Sequence, residues 1–321
     1  MSFPKAAPLA KMFQTSPQTE AAGAASLFAA FAPLRVSSAE RAMRAEPLAR
    51  GAEAEVVEFL AQRSVHAVNL LGLIHDNGLV SAHNRGTFYA CRDERGRLEG
   101  VALVGHATLF EARTPRALRA FVRAAQTRPN LHLVLGESET VAEFWRHYRA
   151  AGQPLRLACR ELLFQLDRGE YAGRGDAVEG LRLATREDLE LIIPVQARMV
   201  EEESGLDPRV SDPEGFPMRC GRRVDRGRTW VLVEGGRLVF KAEVMADTQG
   251  VVYLEGVHIA PEERGRGRGL RCLSHLTGLL LGRADSVCLL VNERNKAAHA
   301  FYRKAGFRFE CYYDTIFLRR D

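Results

Sequence analysis

The sequence predicts an α/β (α+β) fold built from two similar halves, and three features carry that prediction. A short apolar run ending at Val257 to Pro261 feeds a glycine-rich turn and then a helical pattern, LRCLSHLTGLLLG from Leu270, so the order is strand, turn, helix. The stretch VCLLVNERNKAAHAFYRKAG, Val287 to Gly306, repeats that order with a polar turn and an Ala-Gly stop. Finally, the two halves show weak self-similarity at a spacing of about 140 to 156 residues.

Along the chain, residues 1–37 are rich in Ala, Ser and Pro, hold no sustained pattern, and read as a flexible arm. Within them Ala21 to Leu34 is apolar, yet at about 14 residues it is too short for a membrane span. Its alanine content and the preceding Glu20 do not suit a secretory signal, and a short docking helix is the alternative. Residues 38–167 form the first half. In it the hairpin TFYACRDERGRLEGVALV, Thr87 to Val104, parallels TWVLVEGGRLVFKAEV, Thr229 to Val244, and LHLVLGESETVAEFWRHYRAAG, Leu131 to Gly152, parallels Val287 to Gly306. A glycine-rich, charged linker, RGEYAGRGDAVEG, spans 168–180. The second half, 181–321, opens with a strand, a Thr185 cap with Asp188 three residues on, and an amphipathic helix.

Composition narrows the class. At 321 residues the chain has room for two ordinary domains, and 46% hydrophobic with 26% charged residues is the balance of a protein with a full core. Six scattered cysteines (Cys91, Cys159, Cys220, Cys272, Cys288, Cys311) contain no C-x-x-C pair and no His partner at metal spacing. They read as buried small hydrophobes in a reducing compartment, so the expectation is a cytoplasmic enzyme with no metal and no membrane segment. A formal charge of +5 suits an anionic cofactor, an acidic acceptor or a nucleic acid. The arginine clusters Arg219 to Arg228 and Arg264 to Arg271 hold no aromatic on which a base could stack, which weighs against nucleic acid.

The glycine turn carries the chemistry. Gly265, Gly267 and Gly269 permit backbone conformations that a Cβ forbids and expose successive N–H groups at a helix start, an arrangement that binds anions. Arg266 and Arg268 add positive charge to the positive end of the helix dipole. Taken alone, such a hexapeptide is also compatible with a tight loop or an RGG-like tract.

Two motifs in register decide among these readings. Arg264, Gly267 and Gly269 have the spacing of the pyrophosphate loop of the GNAT superfamily of acyl-CoA N-acyltransferases, and Asn292, Asn295, Ala298, Tyr302, Gly306 and Phe307 match its second motif. The chain resembles that superfamily over roughly 181–318. The resemblance implies tandem GNAT-like folds, each a mixed twisted sheet flanked by helices, and acetyl-CoA as acyl donor. It further implies that the strand segment Val257, His258, Ile259 pairs with the pantetheine arm, that Arg264 to Gly269 hold the diphosphate, and that Asn292 and Asn295 contact the cofactor. In the first half, Thr108 to Asn130 stand where the phosphate loop belongs and contain no glycine, and Arg146 falls where Tyr302 aligns. Residues 38–167 therefore read as a degenerate GNAT-like domain, with an unrelated α/β domain as the alternative.

The implied reaction is transfer of an acetyl group to a primary amine by direct attack in a ternary complex. It needs a base for the amine proton, donors for the oxyanion, and an acid for the thiolate. Strand alternation through VVYLEGVHI places Tyr253, Glu255 and Val257 on one face and Leu254 and His258 on the other. The family commonly supplies its base from the positions of Tyr253 and Glu255, so Glu255 is the candidate base, with a solvated strand glutamate as the bland alternative. Tyr302 matches the family's acid, the alternative being a tyrosine packed in the core. Asn295 is equally well explained as a helix N-cap. The acceptor stays open: Glu201, Glu202, Glu203, Asp207 and Asp247 suit a cationic amine or are simply a solvated acidic face, whereas Arg219, Arg222 and Arg223 suit an acceptor carboxylate or the 3′-phosphate of coenzyme A. Two other functions are compatible with the fold, a non-catalytic acyl-CoA sensor and an aminoacyl-tRNA-dependent transferase. The presence of Glu255 and Tyr302 argues against the first and the intact glycine loop against the second.

Overall fold

The computed structural model describes residues 43–129, 131–173 and 177–319, so the expected arm at 1–37 lies outside the described residues. The first half forms β1 (Glu46–Pro47), α1 (Glu53–Ala61), α2 (Val68–Asn77), β2 (Gly86–Arg92), β3 (Leu98–Gly105), β4 (Ala107–Ala112), α3 (Pro115–Gln126), β5 (Leu133–Glu137), α4 (Ser138–Tyr148) and β6 (Leu155–Asp167). The second forms β7 (Arg182–Leu183), α5 (Leu189–Ser204), α6 (Pro208–Ser211), α7 (Gly215–Asp225), β8 (Thr229–Glu234), β9 (Arg237–Asp247) and β10 (Val251–Ile259). It closes with α8 (Arg268–Leu281), β11 (Ser286–Asn292), α9 (Lys296–Lys304) and β12 (Arg308–Leu318).

Local chemistry sets these boundaries. Asp93 accepts the N–H groups of Arg95 and Arg97 (both 2.9 Å) and closes the β2–β3 turn. Thr114 caps α3 ahead of a proline at its first position. Asp188 accepts the Thr185 N–H at 2.7 Å and is paired with Arg182, which fixes the start of α5.

The strands join in one mixed sheet of order β1-β2-β3-β4-β5-β12-β6-β11-β10-β9-β8-β7. Only β4–β5 and β10–β11 are parallel among the described pairs. Each half lays its strands side by side in sequence order and then sends its last strand across. β12, from the second half, lies between β5 and β6, and β6, from the first, lies between β12 and β11. The two exchanged strands pair with each other from Arg308↔Gln165 to Leu318↔Leu155. The architecture is thus a mixed, twisted sheet flanked by helices, as the sequence predicts.

The exchange shapes the core. Leu162, Phe164 and Leu166 of β6 are buried in one cluster with Val252 and Leu254 of β10, Leu289 of β11 and Leu273 and Leu276 of α8. On the other face α2 packs on β9 and β10, so closely that a Cβ on Gly72 would lie 2.4 Å from Ala246 Cβ. Asp76, at the end of α2, pairs with Arg226 (3.1 Å) and Arg228 (2.8 Å). No helix among the described residues is long and apolar enough to cross a membrane.

Phe164 is fully buried in that cluster although it precedes the second half in sequence. Phe164→Ala is expected to reduce unfolding free energy in urea by roughly 3–5 kcal/mol, the cost of emptying a well-packed aromatic site. A loss below about 1 kcal/mol would show that β6 is not integral to this core.

Candidate active site

The site begins where two parallel strands part. β10 and β11 pair from Val251↔Ser286 to Leu254↔Leu289 and no further, yet β10 runs on to Ile259 and β11 to Asn292. The edge of β10 from Glu255 to Ile259 that faces β11 therefore has no strand partner among the described residues. Backbone groups in such a position seek water or a ligand. On its other edge this segment stays bonded to β9, ending at Ile259↔Phe240.

The turn after β10 is built as its glycines require. Pro261–Glu263 makes one tight turn, Arg264 is extended with its Nε donating to the Ile259 carbonyl (3.1 Å), and Gly265 and Gly267 take φ of +75° and +80°. Gly269 answers a different need, since a Cβ there would lie 2.3 Å from Ile259 Cδ1. No side chain caps α8, so its first N–H groups open towards the turn, and Arg266 has no ion-pair partner among the described residues. Arg268 departs from expectation. It is engaged by Glu234 and by Glu263 (3.3 Å), so its charge is largely neutralised away from the nest.

A second departure lies in β10. Glu255 opposes Glu243 and His258 opposes Lys241, so one extra residue is accommodated at Gly256, whose φ is +59°. This bulge breaks the strict alternation expected from the sequence. His258 returns to the face of Glu255, whereas Val257 and Ile259 turn to the core cluster on the other face.

Glu255 accepts a hydrogen bond from the Tyr253 hydroxyl at 3.1 Å. The carboxylate keeps an exposed surface, yet protein surrounds it; we place it in an open cleft that water still reaches. Lost hydration raises its pKa and the charge of Glu243 adds to this, opposed by the Tyr253 hydrogen bond and by Arg223 and Lys241. Two further carboxylates share the cleft electrostatically. Burial and the charge of Glu255 raise Glu161, whose Oε2 accepts from Thr315 at 2.6 Å, to about 7. Glu203 keeps an exposed surface, yet the protein around it strips enough water that desolvation, with the charges of Glu255 and Glu161, raises it to about 8. Burial, with Lys241 and Arg264 nearby, lowers His258 to about 4, so its imidazole is neutral at pH 7.

Tyr302 is nine-tenths buried, its ring edge-on to Phe301 (5.3 Å) and Phe307 (5.9 Å). Its hydroxyl makes no hydrogen bond among the described residues, and burial pushes its pKa up. Asn292 and Asn295 build the start of α9: Asn292 Oδ1 accepts the Arg294 N–H and Asn295 Oδ1 the Ala298 N–H, both at 3.0 Å. Of the acidic residues considered for an acceptor, Glu203 alone joins the cleft. Asp207 pairs with Arg209 and Asp247 with Arg283. The arginines considered for a carboxylate are engaged: Arg219 by Asp212 (2.7 Å), Arg222 by Asn77 (2.8 Å) and Arg223 by Glu243 (3.0 Å).

Glu161 is the residue that sequence reasoning missed. It comes from the first half and reaches the cleft because β6 is exchanged into the second half's sheet. Its signal is faint, an acid standing between Arg160 and the apolar Leu162–Phe164 of a strand that also carries Arg156, Gln165 and Asp167.

The first half repeats the parting of strands without the nest. β4 and β5 pair as far as Leu109↔Leu135 and then diverge, and Arg63 fills the gap by pairing with Glu111 (3.2 Å) and Glu137 (2.7 Å). Folding also brings possible ligand atoms of His66, Glu137 and Cys311 within 4.8 Å of one another. Arg63 already holds that carboxylate, and its charge opposes a cation there.

The comparisons with known proteins place this arrangement in an acetyltransferase-like fold. Residues 197–307, about a third of the chain, match the acetyltransferase (GNAT) family profile. Among solved structures, a Drosophila protein is similar at a TM-score of 0.63 and 13% identity, covering 86% of this chain and 99% of its own. A tandem GNAT protein from the clavulanic acid biosynthesis pathway is similar at 0.53 and 16%, covering 87% and 99%. A GCN5-related N-acetyltransferase from Sphaerobacter thermophilus follows at 0.51 and 15%, covering 88% and 98%. At such identities the likeness is one of fold. None of the curated proteins matches the chain.

The raised carboxyls set a direction for stability. A folded-state pKa above the ordinary 4.5 stabilises the fold fully below about pH 4.5 and less as pH rises through 7 and 8, where Glu161 and Glu203 ionise. Thermal melts should therefore show stability falling over that window, and the double substitution Glu161→Gln, Glu203→Gln should flatten the fall. An equally steep fall in that variant would contradict the arrangement.

Proposed function

We propose that the protein is an N-acetyltransferase that moves an acetyl group from acetyl-CoA to a cationic primary amine by direct attack in a ternary complex. The observation that carries this reading is the unpaired edge of β10, with the glycine nest at one end and Glu255 at the other. The backbone of Val257 to Ile259 would pair with the pantetheine arm, and Gly265 to Gly269 with Arg264 and Arg266 would hold the diphosphate. The amine nitrogen attacks the thioester carbon, a C–N bond forms and the C–S bond breaks. Glu255 takes the amine proton and Tyr302, kept protonated by burial, returns one to the thiolate. His258, with its pKa lowered, is the weaker base at neutral pH.

The charge of the cleft favours a cationic acceptor. Glu161, Glu203 and Glu255 crowd one space, while the arginines that could grip a carboxylate already have acidic or amide partners. An amine with a second positive charge would draw the protons off Glu161 and Glu203 and leave one ammonium held while the other end reacts.

Thiol release from acetyl-CoA should accordingly be faster with di- and polyamines than with amino acids or acidic peptides. Glu255→Gln is expected to lower turnover at pH 7 by roughly 10²- to 10⁴-fold while acetyl-CoA affinity stays nearly unchanged. Undiminished turnover in that variant removes Glu255 as the base, and absence of heat on titrating acetyl-CoA removes the acyltransferase reading.

A further inference from the structure

Directly beneath the bulge lies a lysine with no exposure to solvent. Lys241 of β9 is 0% exposed, donates from Nζ to Gln196 Oε1 at 2.6 Å, and pairs with Glu243 Oε1 at 3.2 Å, whose other oxygen meets Arg223 at 3.0 Å. Removing a lysine's charge from water is costly unless it is paired and hydrogen-bonded, so these partners fix where the ammonium sits. Its position is specific: a Cβ on Gly256 would lie 2.8 Å from Lys241 Nζ and 3.1 Å from Gln196 Oε1. The ammonium thus rests against the one residue whose left-handed backbone makes the bulge, between Glu255 and Val257.

We propose that Lys241 is a positioning residue for Glu255: its ammonium, held by Gln196 and Glu243, fills the hollow under Gly256 and fixes the bulge that carries Glu255 on the cleft side. This rests on the reading of Glu255 as the base. Lys241 also acts on Glu255 through its charge, among several groups that do so. Those facing Glu255 are Tyr253 of its own strand, Glu243 and Lys241 of β9, Arg223 of α7, Glu203 of α5 and Glu161 of β6. Burial lowers the pKa of Lys241, and Glu243 counters that effect.

The test is a carbon-13 carboxyl titration of Glu255 in the full chain, its signal assigned by disappearance in Glu255→Gln. In Lys241→Met, which keeps the stem and deletes the charge, the midpoint should move to higher pH, because a positive neighbour is lost and Glu243 is less balanced. The acetyl-CoA dissociation constant should change by less than about twofold, as expected for a group acting through another residue rather than on the donor. An unmoved midpoint overturns the proposal. Should Lys241→Met not fold, Glu243→Gln is compared with the double substitution Lys241→Met, Glu243→Gln, and the midpoint should lie at higher pH in the double variant, because only it has lost the positive neighbour. Equal midpoints in the two overturn it. Failure of the base reading is recognised separately, by full turnover in Glu255→Gln whatever the titration of Lys241→Met shows.

Discussion

β10 parts from β11 after Leu254 and Leu289, and the cleft, the bulge and the glycine turn all lie beyond that point on β10. Parallel strands normally satisfy each other's backbone groups along their whole shared length, and here one edge is released just before the helix whose N-terminus is uncapped. A linear molecule with polar groups along a short arm and an anion at one end fits such an edge. The bulge at Gly256 belongs to the same device, because it returns His258 to the side of Glu255 and sends Val257 and Ile259 to the core. The buried Lys241, Glu243 and Gln196 lie under that bulge and fill the space a side chain at Gly256 would occupy.

The exchange of β6 and β12 carries residues of the first half into the cleft. β6 supplies Phe164 to the core beneath the cleft and Glu161 to the cleft itself. The corresponding gap between β4 and β5 is filled by Arg63 and its two glutamates, and its turn into α3 is capped by Thr114 without glycine.

Much of this was legible in the sequence, for reasons that are local. The glycines of the turn, the Asn295 cap and the two hairpins are set by short-range backbone preferences, and each element forms where those preferences place it. What was not legible depends on partners distant in sequence. Strict alternation cannot anticipate a bulge, so His258 was assigned to the wrong face. Arg268 reads as a phosphate ligand until Glu234 and Glu263 are brought beside it. The arginines of α7 read as a carboxylate grip until Asn77, Asp212 and Glu243 are seen to hold them. Glu161 is invisible as a site residue because only the strand exchange carries it there.

Amide hydrogen exchange reads out whether the released edge of β10 takes a ligand. If the edge of β10 and the glycine nest together receive an acyl-CoA, acetyl-CoA should slow exchange within the segment Val257 to Ile259 and at Gly265 to Gly269, while the strand pair β4–β5 of the first half stays unchanged. Saturating acetyl-CoA that leaves exchange at Val257 to Ile259 unaltered would contradict the account.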